Sequence, residues 1–273
     1  MPNTLHPQQC LEVAIAAARA GGRHALLNRH RCHEVHQAFR HDVKLQLDLE
    51  CQARVIEVIR AQFPNHAILG EEDEAAVAGM LAARQPAPTQ IPAENIQWVV
   101  DPIDGTVNYY HGLPMWCCSV AMQVDGASVA GAVYAPEIDE LYTATVDGPA
   151  LLNGSPIHVS DERELSGAIL LTGLSQKEGA DYVSPSMVER LGHSVQKIRV
   201  LGSAALDMCR VARGHAEAYW EPAIYVWDMA AAGLIVERAG GRVSLLNRQD
   251  LRVSFMATNG HVHAALRALL PPL

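Results

Sequence analysis

The sequence has no uninterrupted apolar run that approaches the roughly eighteen residues needed by a membrane-spanning helix. Its start, M-P-N-T-L-H-P-Q-Q-C, lacks the basic segment followed by an apolar segment that marks an export signal. No segment is repeated along the chain. We therefore expect a protein of the cytoplasm that makes no contact with a membrane.

The sequence also lacks any C-x-x-C pair. With no export signal, its dispersed cysteines are expected to be reduced thiols: Cys10, Cys32, Cys51, Cys117, Cys118 and Cys209. Positive charge is scarce, since 21 Lys and Arg stand against 30 Asp and Glu, for a net charge of −9. This balance speaks against direct binding to a nucleic-acid backbone. A small anionic substrate stays compatible with it, provided that a cation accompanies the substrate.

What the chain does have is material for a core, because 49% of its 273 residues are hydrophobic. Local patterns predict helices over 7–28, 49–62, 185–192, 204–213 and 229–238. They predict strands over 42–48, 67–69, 96–100, 117–124, 128–134, 140–145, 168–172, 197–201, 219–220 and 242–246. Antiparallel runs come first and α/β alternation follows, which favours an α+β sandwich in two lobes. We place the lobes at residues 1–146 and 147–273.

The most informative stretch is D-P-I-D-G-T-V-N-Y-Y-H-G-L-P, residues 101–114, directly after the apolar run 98–100. Asp101 and Asp104 would meet in one small volume and repel each other unless a cation lies between them. Mg²⁺ prefers carboxylate oxygens together with the oxygens of a phosphate. Free N–H groups after Gly105 would suit a phosphate oxygen. Asp-Pro and Asp-Gly are also common turn pairs, so an ordinary turn is an alternative.

Two further sites follow the same pattern of an apolar run that ends in acid. Glu71 and Glu72 follow a short strand and Gly70, and an exposed acidic loop is the alternative there. Asp228 follows Trp227 where a helix opens, and a plain helix cap would explain it as well. Asp48 is placed as the cap of the helix over 49–62.

Taken together, these segments resemble the three signature blocks of the inositol monophosphatase family, in the same order and at the same spacing. The blocks are G-E-E (70–72), the stretch 101–114, and W-D-M-A-A-A-G-L-I-V-E-R-A-G-G (227–241). H-D-V-K-L-Q-L-D (41–48), L-G-S-A-A-L-D-M-C (201–209) and A-Y-W-E (218–221) are also similar to family segments. The resemblance covers residues 11–264.

The resemblance implies a Mg²⁺-dependent, Li⁺-sensitive phosphomonoesterase with two or three ions. It implies an α-β-α-β-α layered fold, of the type shared with fructose-1,6-bisphosphatase, and a homodimer. The implied metal ligands are Glu71, Asp101, Asp104, Asp228 and the carbonyl oxygen of Ile103. The implied catalytic residues are Glu71, Asp101 and Thr106, the last orienting the attacking water together with Glu71. The implied substrate contacts are Asp104, Gly105, Thr106, Gly202, Ser203, Ala204 and Glu221.

Inositol monophosphate is the expected substrate, because a carboxylate such as Glu221 accepts hydrogen bonds from polyol hydroxyls. Relatives with the same blocks act on fructose 1,6-bisphosphate, histidinol phosphate or 3′-phosphoadenosine 5′-phosphate, and these stay open as alternatives. Some bacterial relatives also bind the transcription machinery. Such a partner role is an alternative of another class.

The sequence departs from the family in places. Gln37 stands where a basic residue is frequent, with Arg40 and Lys44 nearby, which leaves Li⁺ and metal affinity open. The Ala/Pro-rich segment 73–93 falls where the family has a loop near the metals. A separate cluster allows a zinc site as an alternative to scattered solvated histidines: His30, Cys32, His33, His36 and His41.

Overall fold

The computed structural model describes residues 6–38, 43–72, 96–174, 185–249 and 251–270. Its first two strands, β1 (Val35–Ala38) and β2 (Val43–Leu45), pair with each other antiparallel. A seven-stranded sheet follows in chain order: β3 (Ala67–Gly70), β4 (Ile96–Asp104), β5 (Cys117–Val124), β6 (Ala127–Ala135), β7 (Glu140–Thr145), β8 (Leu151–Leu152) and β9 (Ser155–Pro156). β3 is parallel to β4, and every later pair is antiparallel. The predicted antiparallel meander is thereby confirmed.

The second sheet has five strands, in the order β11-β10-β12-β14-β13. They are β10 (Ile169–Leu171), β11 (Lys197–Arg199), β12 (Ala218–Tyr225), β13 (Arg242–Gln249) and β14 (Arg252–Thr258). β10 is parallel to both of its neighbours, whereas β12, β13 and β14 pair antiparallel. The α/β alternation of the second half fits the parallel strands of this sheet, whereas the antiparallel strand β14 and the helix that follows it at His263–Leu269 were not predicted from the sequence.

Helices separate and cover the two sheets. They are α1 (Pro7–Leu27), α2 (Gln46–Gln62), α3 (Thr106–His111), α4 (Pro185–Ser194), α5 (Ala204–Ala212), α6 (Val226–Arg238) and α7 (His263–Leu269). α1 and α2 pack on the outer face of the first sheet. α5 and α6 lie between the sheets, and α4 and α7 cover the second sheet from outside. The result is the predicted α-β-α-β-α sandwich. The division into lobes at residue 146 stays a prediction.

Strands β4 and β5 are buried on both faces, which explains their nearly continuous apolar sequence. Trp98 and Val100 point into the core under α1 and α2, whereas Val99 points into the core around α6. The next strand repeats this alternation, with Cys118 in the outer core and Cys117 in the central one. The first sheet therefore links both cores through single side chains on alternate faces.

Several predicted element boundaries are wrong. The strand predicted over 219–220 spans Ala218–Tyr225, and the strand predicted over 242–246 continues to Gln249. The strand over 42–48 ends at Leu45, and Gln46–Asp48 already belong to α2. Asp48 is the third residue of that helix and not its cap, because its carboxylate accepts the N–H of Leu45 from inside the first turn. β4 runs on to Asp104 past the predicted end at residue 100, and α6 begins at Val226, three residues earlier than predicted.

Two other predictions concern a zinc site and the segment 73–93. Among the described residues, the only acidic, His or Cys group with metal-ligand spacing lies elsewhere, so His30, Cys32, His33 and His36 give no support for a zinc site. His41 and the segment 73–93 lie outside the described residues.

All six cysteines are free thiols. None of the helices in the described ranges has the length and apolar character that a membrane crossing demands.

Candidate functional site

Three aspartates converge where β4 meets the first turn of α6. One carboxylate oxygen each from Asp101, Asp104 and Asp228 lies within 4.8 Å of the others. The pairing of β4 with β5 is irregular between Asp101 and Asp104, where Pro102 offers no N–H to the neighbouring strand. This irregularity lets both carboxylates leave the strand on the same side, and Asp101 also accepts the N–H of Ile103 at 3.1 Å.

Asp228 reaches the cluster because of its place in α6. It is the third residue of the helix, and its Oδ2 accepts the N–H of Tyr225 at 2.7 Å. A carboxylate is favoured in a first helical turn, since the peptide dipoles leave partial positive charge there. The alternative of a plain helix cap is therefore wrong for Asp228, as it was for Asp48: the cap residue is Tyr225, and Asp228 bonds its N–H from the third helical position while it lies in the cluster.

Asp104 is held by the start of α5, about one hundred residues further along the chain. Its Oδ2 accepts the Ser203 hydroxyl at 2.6 Å and the Ala205 N–H at 2.8 Å, and its Oδ1 accepts the Ala204 N–H at 3.1 Å. Ser203 and Ala204 were predicted to contact substrate, and in the structure they donate to Asp104. Their substrate role stays a prediction.

The other end of α5 is tied to the first sheet. Glu140 on β7 forms ion pairs with Arg210, at 3.3 Å, and with Arg213. Helix α5, whose first residues donate hydrogen bonds to Asp104, is thus attached at both ends to strands of the first sheet. This anchoring keeps the Asp104 carboxylate in place.

Glu71 and Glu72 lie beside the cluster at the end of β3. The Glu71 carboxyl is hydrogen-bonded to that of Asp101, and the Glu71 N–H donates to the carbonyl oxygen of Val100 at 3.1 Å. Glu72 is buried. The alternative of an exposed acidic loop is therefore wrong for Glu72, which the fold places in the interior.

Burial is the first reason why these acids resist ionisation, and their mutual repulsion is the second. Burial raises the pKa of Asp101 and of Asp228 well above the ordinary value, and the charges of Glu71 and Asp104 raise both pKa values further. The pKa of Asp104 is also raised by burial, and that of Glu71 is raised to about 7. Such a set of hard oxygen donors fits a hard divalent cation, which would supply the missing positive charge.

Thr106 and Gly105 follow the cluster at the start of α3. The Thr106 hydroxyl donates to the carbonyl oxygen of Ile103 at 2.9 Å, so its oxygen lone pairs are free to accept another hydrogen bond. Gly105 has a φ of 95°, and a Cβ there would lie 2.9 Å from the Met115 carbonyl oxygen. The tight approach requires glycine at this turn.

Gly202 lies close to the turn at Gly105, and Asn108 links the two segments. The sequence had not indicated a role for Asn108. Asn108 donates from Nδ2 to the carbonyl oxygens of Met115 and Leu201, both at 2.7 Å. This amide ties α3 to the segment before α5. Its only sequence signal was its place inside the motif 101–114, which does not show that a partner lies 93 residues away.

Glu221 on β12, an implied substrate contact, lies near enough to Asp104 and Asp228 for their charges to interact, and its contact with substrate stays a prediction. Tyr219 donates its hydroxyl to Glu221 Oε1 at 2.9 Å. A Cβ at Gly173 would lie 2.3 Å from the same carboxylate, so only glycine leaves room for it. Burial, followed by the charge of Asp104, raises the pKa of Glu221 to about 7. A second buried acid near Glu221, Asp207, was not singled out from the sequence.

Comparison with known proteins identifies relatives of the chain. The sequence profile of the "Inositol monophosphatase family" matches residues 6–271. A Nus factor SuhB of Pasteurella multocida is 35% identical over 260 residues, which are 93% of this chain and 90% of that protein. An inositol-1-monophosphatase of Synechocystis is 34% identical over 270 residues, or 96% and 89% of the two chains. The solved structure of the inositol monophosphatase from Anabaena is similar, with a TM-score of 0.78 at 33% identity, over 97% of this chain and 98% of that one.

Proposed function

The chain belongs to the inositol monophosphatase family and is a phosphatase, and on that premise we propose that it hydrolyses inositol monophosphate to inositol and phosphate with Mg²⁺ as cofactor. The observation that carries the proposal is the convergence of Asp101, Asp104 and Asp228 within 4.8 Å. Three buried carboxylates at this spacing need positive charge among them.

In the proposed site, Glu71, Asp101 and the Ile103 carbonyl oxygen would hold one ion, and Asp101, Asp104 and Asp228 would hold a second. The resemblance also allows a third ion, for which it names no further ligand. When bound, magnesium lowers the pKa of a water molecule and offsets charge on the phosphoryl oxygens. The chain's own part is to hold these oxygen atoms in place, which the contacts to Ile103, Tyr225 and α5 accomplish.

Thr106 and Glu71 act on the attacking water in this proposal. The Thr106 hydroxyl already donates to Ile103, so it can only accept from the water and thereby orients it. Glu71, which the resemblance implies as the partner of Thr106, is proposed to receive the proton from that water. The N–H groups of Gly105 and Thr106 are proposed to bind the phosphate, because the first N–H groups of a helix have no partner within it.

Glu221 supports a hydroxyl-rich alcohol on the leaving side. Its Oε1 is held by Tyr219, which fixes the carboxylate in one orientation for accepting hydrogen bonds from a polyol. Fructose 1,6-bisphosphate, histidinol phosphate and 3′-phosphoadenosine 5′-phosphate are the alternative substrates. The cytoplasmic location and the homodimer stay predictions.

The test is phosphate release from a panel of these esters with Mg²⁺, with and without Li⁺. We expect inositol monophosphate to be turned over fastest. Asp104→Asn should lower kcat/KM by at least the roughly 10- to 100-fold that follows loss of a group supporting a metal. The exposed Asp161 offers a matched control, and Asp161→Asn should leave turnover unchanged. Near-normal turnover in Asp104→Asn would contradict the ligand set.

A second candidate function is favoured by the name of the Pasteurella relative, Nus factor SuhB. It is a partner role in transcription, which does not depend on catalysis. Purified RNA polymerase offered to the wild-type chain and to Asp104→Asn tests it. Equal retention of both proteins supports the role, and retention of neither contradicts it.

A further inference from the structure

Lys44 on β2 places its ammonium group against the Glu71–Glu72 pair. Its Nζ lies 3.0 Å from Glu72 Oε1, 3.5 Å from the Glu71 carbonyl oxygen and 4.0 Å from Glu71 Oε1. The Glu72 side chain is only 2% exposed. Water therefore screens this pair much less than it screens an ion pair on the protein surface.

The backbone of the two glutamates is also fixed by residues other than Lys44. Gln52 accepts the Glu72 N–H through Oε1 at 3.0 Å and donates from Nε2 to the Glu72 carbonyl oxygen at 3.2 Å. The Glu71 N–H is bonded to Val100. These hydrogen bonds fix the backbone from which both carboxylates extend, so the fold brings the two acids close to Lys44.

The Glu72 carboxylate, 3.0 Å from Lys44 Nζ, favours the charged form of the ammonium group. The ammonium group thus brings positive charge to the acidic pocket beside Glu71 and Glu72.

We propose that Lys44 is a built-in cation that fills the outer side of Glu71 and keeps a further divalent ion from binding there. The Glu71 carboxyl that is bonded to Asp101 then faces the proposed metal site with its inner side only. The inference rests on the proposed function and narrows it from two or three ions to two. Lys44 is a positioning residue in this account, since it acts through Glu71.

The experiment counts bound Mn²⁺ per chain by electron paramagnetic resonance, after removal of resident metal with a chelator. Lys44→Met should bind one more Mn²⁺ than the wild type. Lys44→Arg keeps the positive charge and should keep the wild-type count. Lys197→Met removes an exposed lysine on β11, far along the chain from the acids, and should also keep it. An unchanged count in Lys44→Met overturns the inference, even if the existing sites bind Mn²⁺ more tightly.

Two further variants make every outcome decisive. Lys44→Met leaves the buried Glu72 carboxylate without its partner and can unfold for that reason alone, which circular dichroism would show. In that case the ions are counted in the double variant Lys44→Met/Glu72→Gln. This variant should bind one more Mn²⁺ than the wild type. Asp101→Asn reports on the proposed function. If that variant binds as many ions as the wild type, the ligand set is wrong. If it loses ions while Lys44→Met gains none, the inference about Lys44 alone is wrong.

Discussion

Asp207 on α5 is a buried acid whose Oδ1 has no hydrogen-bond partner within the described part of the chain. Burial, followed by the charges of Asp104 and Glu221, raises its pKa from 3.8 to about 8. Between these two pH values the folded protein keeps a proton that the unfolded chain releases. The free energy of unfolding therefore falls as the pH rises, by up to about 1.4 kcal/mol per pH unit from this group.

Asp207→Asn should remove this contribution, because an amide does not ionise. We expect its free energy of unfolding to fall less than that of the wild type between pH 5 and pH 7.5. Urea unfolding in EDTA at several pH values measures the difference. Asp161→Asn serves as the control and should follow the wild type. Equal slopes for Asp207→Asn and the wild type would show that Asp207 is ionised in the folded protein.

At the scale of elements, the position of α6 depends on close packing against β6. A Cβ at Gly131 would lie 3.0 Å from the Cα of Ala231 and 3.2 Å from its carbonyl oxygen, which are atoms of the helix backbone. Ser128 adds a hydrogen bond to the carbonyl oxygen of Ala230 at 2.7 Å. Any side chain at Gly131 must therefore push α6, and Asp228 with it, away from the sheet.

Gly131→Ala should lower the free energy of unfolding by about 1–3 kcal/mol, as overpacking usually does, and should weaken Mn²⁺ binding. Gly192→Ala in α4 is the matched control. A Cβ there meets its first neighbour at 3.9 Å, so neither stability nor Mn²⁺ affinity should fall. Urea unfolding and Mn²⁺ titration measure the two effects. Unchanged Mn²⁺ affinity in Gly131→Ala would show that the packing of α6 against β6 does not affect metal binding.

Elements with a strong local pattern could be predicted from the sequence, and their ends could not. Trp98 and Val100 mark β4 by their apolar run, but Pro102 and two acids are typical of a turn, so the continuation to Asp104 was missed. Asp104 is buried there because its partners lie on α5, a contact that no local pattern contains. Asp48 could bond the same N–H as a cap or from the third helical position, and only the structure decides between them.

The proposed site shows the same limit. Its carboxylates were found because their spacing within motifs is distinctive. Lys44 and Asn108 were not assigned roles, because their partners lie 28 and 93 residues away. The family resemblance supplied the ligand set that periodicity and composition left open. What it could not supply was the neighbour of each ligand in this particular chain.

At the scale of the whole molecule, the proposed ligands come from β3, β4 and α6, so the unfolded chain has no site. Ions that bind only the folded state stabilise it, by about 2.7 kcal/mol at a concentration one hundred times Kd. For a chain of this size we expect Mg²⁺ to raise the Tm by roughly 5–10 °C relative to EDTA. Calorimetry measures the shift. Asp228→Asn should lose most of this increase in Tm, and Asp161→Asn should keep all of it. A wild-type Tm that does not change with Mg²⁺ would contradict the proposed site.

The donors that the start of α5 provides to Asp104 also bear on which ion the proposed site would accept. A carboxylate held by Ser203, Ala204 and Ala205 cannot retreat to make room for a larger ion. Ca²⁺ needs oxygen atoms at about 2.3–2.6 Å, against about 2.0–2.1 Å for Mg²⁺, and tolerates looser geometry. The rigidity of one side chain thus gives the pocket a means of discriminating by ionic radius, where net charge alone would treat the two cations alike.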